Sequence, residues 1–291
     1  MLNKNRAVIE SAIVMARAAG AEVVILAAAL PDEAEFLRSA LGDGQRVITT
    51  IGEGGGQQLR DGDLLALPEV KLRRRGRAKI ALLEGLAAGL LRQDERVVII
   101  SGTEHDGGCE LDTVAIVELT ADADYLDGDV ETPLQTLSEV ADPAIFDAVL
   151  GLCVELGHTG REGKPVGLLV TLGDHETVLA HSHPIVLNPF EGHPERLRFI
   201  LNPQAKRAVR EFSGIDGAFI IRSDGVIEAA GRYLHPLAPA TAVPSGLGAR
   251  HRAAAGITGL TRCIAFAVSE STGDTRVFGG GRILMTIEGT D

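Results

Sequence analysis

The stretch SGLGARHRAAAGIT, Ser245 to Thr258, sets three potential cations, Arg250, His251 and Arg252, against an alanine run that has every local reason to be helical. The triplet falls in the first turn or the cap of that helix, where unpaired N–H groups already carry partial positive charge. Each misplaced cation costs about 0.3–1 kcal/mol there, and an anion at the same spot reverses the sign. The triplet therefore asks for a phosphate. FSGIDGAFII puts Asp216, Gly217 and Ala218 where a loop becomes an apolar strand, so the carboxylate sits on rigid backbone while the two small residues leave room for a ligand. VSESTGDTRVF ends another apolar strand with Ser269, Glu270, Ser271, Thr272 and Gly273. Taken singly, each string has a plainer reading: an Asp before a strand is a common turn former, arginines often make a solvated face, and Ser271 to Asp274 reads as a hairpin turn. Together they offer a carboxylate for a divalent cation or a proton, forked donors for phosphate, and hydroxyls beside a helix N-terminus. That is the equipment of phosphoryl or nucleotidyl transfer, in which positioning and charge neutralisation supply most of the catalysis.

The elements that must hold these groups fall into two sets. A helical pattern over about Arg6 to Ala19 leads into the apolar run EVVILA, then PDEAEFLRSAL with Pro31 and acids in its first turn, then RVITTI. A helix-length stretch from Ala78 to Gln93 precedes ERVVIISG and LDTVAIVEL, two β-branched runs. Residues 1 to about 121 thus predict an α/β domain with a largely parallel sheet. TADADYLDGDVETPLQ breaks the pattern, and the domain boundary is placed within it, at 1–125 and 126–291. Beyond it come a helical spacing from Leu137 to Leu152, then KPVGLLVTLG, AKRAVREF, GAFIIRSDGVIEAAG, the alanine helix, CIAFAVSES, DTRVFGGG and RILMTIE. That order predicts an α+β domain with a mixed sheet flanked by helices.

Composition bounds the function. The chain has 291 residues, enough for two ordinary cores, and only 3% aromatics with no Trp, so those cores are built from Ala, Val, Ile and Leu. A formal net charge of −12 argues against nonspecific binding to nucleic acid or anionic membrane, and leaves an anionic substrate to a local basic pocket. Cys109, Cys153 and Cys263 lack metal or disulfide spacing, which points to a reducing cytoplasm. The N-terminal MLNKNRAVIESAIVMARAAG carries Glu10 and Arg17 within its apolar periodicity and reads as an amphipathic helix. The Leu/Ala-rich segment Ile80 to Leu91 is too short to span a bilayer.

Several other strings invite a chemical reading. IGEGGGQQ lacks the third glycine of the dinucleotide fingerprint, and GREGKP has Pro165 where a P-loop needs Ser or Thr. His181 and His183, with His175 nearby, have no carboxylate or Cys at ligand spacing and read as polar loop residues. GTEHDGGCELDT, residues 102–113, follows a strand where open α/β sheets bind ligands, and reads either as such a loop or as an ordinary connection turning at Asp106-Gly107.

With Asp216-Gly217-Ala218 and Arg250-His251-Arg252 in hand, the chain closely resembles the diadenylate cyclases, whose signature motifs read DGA and RHR. GREGKPVG and LGD before the motifs, GRYL between them, LGARHRAAAGIT around the second, and AVSESTG with VFGGG after it carry the likeness over roughly residues 155 to 288. The N-terminal half, through ERVVIISGTEHDGGCELDTVAIVEL, resembles the C-terminal domain of pyruvate kinase, an arrangement similar to the archaeal type of diadenylate cyclase. The resemblance implies condensation of two ATP into cyclic di-AMP with Mn²⁺ or Mg²⁺, across two facing cyclase domains of a homo-oligomer. It implies that Asp216 activates the 3′-hydroxyl or holds the metal, and that Arg250, His251 and Arg252 hold phosphates. Gly217 and Ala218 would lie along the nucleotide, with Gly248 also at the ATP, Ser269 and Glu270 beside triphosphate and metal, and Leu234 and Leu247 at the adenine. Ile215 stands where many relatives have His, and Ala249 where many have Thr, which removes one metal ligand and one hydroxyl. The rival reading is a module that binds ATP or cyclic di-AMP without turnover. The N-terminal domain reads either as a sensor of a small anion at residues 102–113 or as an oligomerisation unit.

Overall fold

A computed structural model describes residues 2–52, 63–67, 74–92, 94–105, 108–119, 140–161, 163, 166–235 and 247–288. The chain divides into two compact units, Met1–Tyr125 and Leu126–Asp291.

The first unit is built on a five-stranded sheet in the order β3-β2-β1-β4-β5. Its strands are β1 (Val23–Leu26), β2 (Arg46–Gly52), β3 (Asp63–Leu67), β4 (Arg96–His105) and β5 (Gly108–Glu118). Neighbours are parallel except β4 and β5. All four residues of β1 are buried, as a central strand with parallel neighbours requires. Helix α1 (Leu2–Ala19) turns Ile9, Ala12, Ile13 and Ala16 into a core shared with Ala34, Leu37 and Leu41 of α2 (Pro31–Leu41). The buried Asn5 side chain donates to the Cys109 carbonyl at 3.0 Å and accepts the Leu111 N–H at 2.8 Å, tying α1 to β5. Helix α3 (Arg74–Ala87) begins four residues before the helix expected from the sequence. Of the two readings of residues 102–113, the strand pairing is that of the ordinary connection. Thr103 pairs with Glu110 and His105 with Gly108, so the segment is the end of an antiparallel hairpin. Asp106 and Gly107 lie outside the described residues, as does the glycine run after Gly52.

The second unit carries a seven-stranded mixed sheet in the order β12-β11-β10-β6-β8-β9-β7. Its strands are β6 (Leu168–Leu172), β7 (Ser182–Pro184), β8 (Ala218–Ile221), β9 (Ile227–Leu234), β10 (Ile264–Val268), β11 (Thr275–Gly279) and β12 (Arg282–Ile287). Only β6 and β8 pair in parallel. The central β10 separates two layers by alternation. Phe266 meets Phe146 of α4 (Pro143–Thr159) on one face, ring centroids 5.4 Å apart. Ala265 and Ala267 meet Ala254 and Ala255 of the alanine helix on the other. Small residues on both sides let that helix approach closely, and so set the position of its first turn. Short α5 (His175–Ala180) and α6 (Pro203–Phe212) complete the unit. Among the described residues, no helix is long and apolar enough to cross a membrane.

Candidate active site

Helix α7 (Ala249–Leu260) starts behind Gly248 with no side-chain cap, so Arg250, His251 and Arg252 all stand in its first turn. They face three different ways. Arg250 donates to Asp216 at 3.2 Å and to Glu270 at 3.3 Å, and so draws together the start of β8, the turn after β10 and the start of α7. Asp216 and Glu270 are largely exposed, at 86% and 65%, while the Arg250 side chain is two-thirds covered. Ion pairs this open to water stabilise the fold by about 0–1 kcal/mol each. Their consequence is geometric: two carboxylates and a guanidinium share one spot.

His251 does not face that spot. Its residue is 5% exposed, its ring lies edge-on to Phe278 with centroids 6.2 Å apart, and its Nε2 is 3.2 Å from Nη1 of Arg276. Burial, and then the neighbouring positive charge of Arg276, push its pKa down to about 4, so the ring is neutral near pH 7. Expected from the resemblance among the phosphate ligands, it sits on the buried stripe formed with Ala254, Ala255 and Thr258. Arg252 is exposed and bends back to donate to the Leu247 carbonyl.

The DGA string has a local structural cause. Gly217 has φ +107°, and a Cβ there would stand 2.7 Å from the Arg232 nitrogen and from the Gly231 carbonyl carbon. The room at Gly217 is thus taken by β9 of the same chain, where the sequence reading left it for a ligand. Ala218 is fully buried as the first residue of β8, and Asp216 is the member of the string that reaches solvent. Leu234, expected at an adenine, is 5% exposed and packs in the core beneath α7. Leu247 is half-buried and Gly248 exposed. Ser269 belongs to a tight turn: its N–H donates to the Asp274 carbonyl at 2.8 Å, and its carbonyl accepts the Gly273 N–H at 2.9 Å. Its hydroxyl is 3.2 Å from that of Ser271.

Three residues missed in the sequence shape this site. A Cβ on Gly167 would lie 2.4 Å from Nη1 of Arg250, so the bare glycine makes the guanidinium's berth. A Cβ on Gly157 of α4 would lie 2.3 Å from the Gly273 carbonyl oxygen, so the helix backs directly onto the Ser-Glu turn. Arg276 of β11 joins His251 to Asp274. A glycine opening an apolar strand was the one available signal. Among the described residues, no group of three or more His, Cys, Asp or Glu is placed to hold a metal ion.

Residues 155–283 match the family model DAC, the DisA bacterial checkpoint controller nucleotide-binding domain. Asp216, Arg250 and Glu270 all lie within the matched segment. The chain is 35% identical over 204 residues to a curated protein of Methanocaldococcus jannaschii named diadenylate cyclase, covering 70% of this chain and 63% of that one. It is 40% identical over 148 residues to a second of that name, from Haloferax volcanii, covering 51% of this chain and 54% of that one. The matched region is thus somewhat over half the length of each relative. Among solved structures, a double mutant of DacA from Staphylococcus aureus is similar at 26% identity and TM-score 0.32, covering 48% of this chain and 84% of that one.

Proposed function

We propose that this chain condenses two ATP molecules into cyclic di-AMP with release of two pyrophosphates. The observation that carries this reading is the Arg250 guanidinium between two carboxylates at the start of an alanine helix, inside the segment that matches the DAC model. Similar proteins named diadenylate cyclase support it. In each half-reaction the 3′-oxygen of one ATP bonds to the α-phosphorus of the other, and the bond from that phosphorus to the pyrophosphate oxygen breaks. The hydroxyl proton passes to Asp216, an open carboxylate at the rigid start of β8. Arg250 binds phosphate oxygens through its fork and takes up the charge that gathers on them as the leaving bond lengthens. Arg252, which turns back to the Leu247 carbonyl, adds a second positive charge to the same first turn.

Asp216 and Glu270 fit a divalent ion: both are hard oxygen donors, and one cationic group already bridges them. Mg²⁺ or Mn²⁺ held there would supply Lewis-acid stabilisation of the phosphoryl oxygens. The product is two-fold symmetric, so we place two copies of the site face to face in a homo-oligomer, each presenting one nucleotide to the other. Protein shown to stay monomeric in the assay is expected to make no product.

The test is to incubate the protein with ATP and either Mn²⁺ or Mg²⁺ and to look by mass spectrometry for cyclic di-AMP and pyrophosphate. Their appearance together supports the reading. Intact ATP with folded, oligomeric protein overturns it in favour of a nucleotide-binding module, which a titration with ATP and cyclic di-AMP would then identify.

A further inference from the structure

We propose that His251, Arg276 and Asp274 form a buried relay that fixes the Ser269–Glu270 turn against the first turn of α7, making them positioning residues for the Glu270 carboxylate. The inference rests on the cyclase reading for its effect on turnover, while the relay itself is testable without turnover.

Consecutive residues of α7 grip the turn at two points. Arg250 holds Glu270 directly, at 3.3 Å on the open side. His251 holds the turn from inside. A guanidinium has only donors, so the Arg276 Nη1 contact makes the imidazole Nε2 an acceptor and leaves the ring proton on Nδ1. Arg276 Nη2 donates to Oδ2 of Asp274 at 3.0 Å, and both side chains are about four-fifths covered. The Asp274 carbonyl accepts the Ser269 N–H at 2.8 Å, which closes the turn that presents Glu270. On its far side the turn meets Gly157 of α4 with no space for even a methyl group. The turn is thus clamped between a glycine behind it and the relay in front. A protonated imidazole would put N–H against N–H at Arg276, so the relay requires the neutral ring. The desolvation of His251, and the positive charges of Arg276 and Arg250 near it, keep it neutral against the opposing pull of Asp274.

The relay makes Arg276, outside the RHR string, matter to catalysis, and makes His251 act through Arg276 with no phosphate contact. In the full-length protein, Arg276→Met, Asp274→Asn and His251→Phe are each expected to lower turnover roughly 10- to 100-fold, with the KM for ATP nearly unchanged. His251→Gln, which keeps an acceptor for Arg276, recovers part of what His251→Phe loses. The double variant His251→Phe/Arg276→Met is expected to be no slower than the worse single one, because both cut the same chain. Losses that multiply, or a KM for ATP that rises sharply with His251→Gln, overturn the relay in favour of a direct phosphate contact.

Two readouts keep the relay testable if the wild type makes no cyclic di-AMP. Nitrogen-15 NMR of the wild type should show His251 protonated at Nδ1 with Nε2 bare at pH 7. Hydrogen exchange at the Ser269 and Gly273 amides should quicken by roughly tenfold or more in Arg276→Met with the rest of β10 and β11 still protected. A proton on Nε2, or unchanged exchange in the variant, refutes the relay even where the cyclase reading stands.

Discussion

Replacing Gly167 by alanine tests the placement of Arg250 with one methyl group. Gly167 lies buried just before β6, and its φ lies outside the left-handed region, so alanine meets no backbone strain there. The added Cβ would stand 2.4 Å from Nη1, 2.8 Å from Cζ and 3.2 Å from Nε of Arg250. Ordinary contact between such atoms needs about 3.5–4.0 Å, so the guanidinium must withdraw by roughly 1 Å. The tip of a flexible side chain yields before a packed helix does. The bonds that yield with it, 3.2 Å to Asp216 and 3.3 Å to Glu270, are already near the outer limit of a hydrogen bond, and both are lost. Exposed pairs contribute about 0–1 kcal/mol each, so the melting temperature should move by only a few degrees. Turnover should fall by about 100-fold, the scale expected when a reacting assembly is misplaced by about 1 Å. The assay is the initial rate of cyclic di-AMP formation at saturating ATP, beside a circular-dichroism melt. Wild-type turnover in a folded Gly167→Ala protein would refute the argument that the berth beside Gly167 sets the place from which Arg250 reaches the nucleotide.

Other outcomes follow from the same geometry. Asp216→Asn keeps the volume of an exposed side chain and removes its charge, so turnover should drop roughly 10²- to 10⁴-fold with the urea midpoint unchanged; an active variant would place the acid elsewhere. Gly217→Ala combines an unfavourable φ with a Cβ 2.7 Å from β9 backbone, and should destabilise the second unit by about 2–5 kcal/mol in urea unfolding. His251 has its pKa lowered from 6.5 to about 4 on folding, so the unfolded chain binds more protons between those values. Its contribution is complete above about pH 6.5 and fades as pH falls toward 4. The wild type should therefore lose more stability over that window than His251→Gln, by no more than about 3 kcal/mol. Equal pH slopes would show that His251 is not held neutral.

What was legible in the sequence was what local pattern carries. The apolar runs that became β1, β8 and β10 are continuous because each strand lies inside a layered sheet, and the alanine run starts its helix where the cations suggested. Elements whose existence depends on neighbours were not legible. Strand β7 is the three-residue SHP, which read as a polar loop, and it is a strand because β9 offers it an edge from Ser182–Leu234 to Pro184–Arg232. Helix α5 has six residues, too few to show helical periodicity. In the site, Asp216, Arg250 and Glu270 were found by chemical type, and the fold brings them together. The inward turn of His251 left a trace: positions 251, 254, 255 and 258 keep helical spacing, and all four are buried. Side-chain type suggested phosphate, while periodicity pointed to the core. Gly167 and Gly157 act through the space they leave, which residue chemistry does not reveal.

The same contacts also answer why cations can crowd a helix start. His251 is neutral, so the first turn of α7 carries two guanidinium charges, and Asp216 and Glu270 bring two carboxylates to the same place. The cost of cations at a helix N-terminus is thereby offset inside the protein, without a ligand. A site balanced in this way has little spare positive charge for a triphosphate. Nucleotide entering it has to draw Arg250 away from its carboxylates, and the carboxylates so released then lie beside phosphate as like charges. On the cyclase reading, both difficulties would be eased by a divalent cation accompanying the nucleotide, for which Asp216 and Glu270 are the carboxylates that would hold it. On this argument ATP without Mn²⁺ or Mg²⁺ should bind far more weakly than ATP with either. Asp216→Asn/Glu270→Gln, which frees Arg250 from both partners, should reverse that order and bind metal-free ATP more tightly than the wild type does. Calorimetric titration with and without a chelator reads both quantities, and weaker metal-free binding by the double variant would refute the charge balance argued from Arg250.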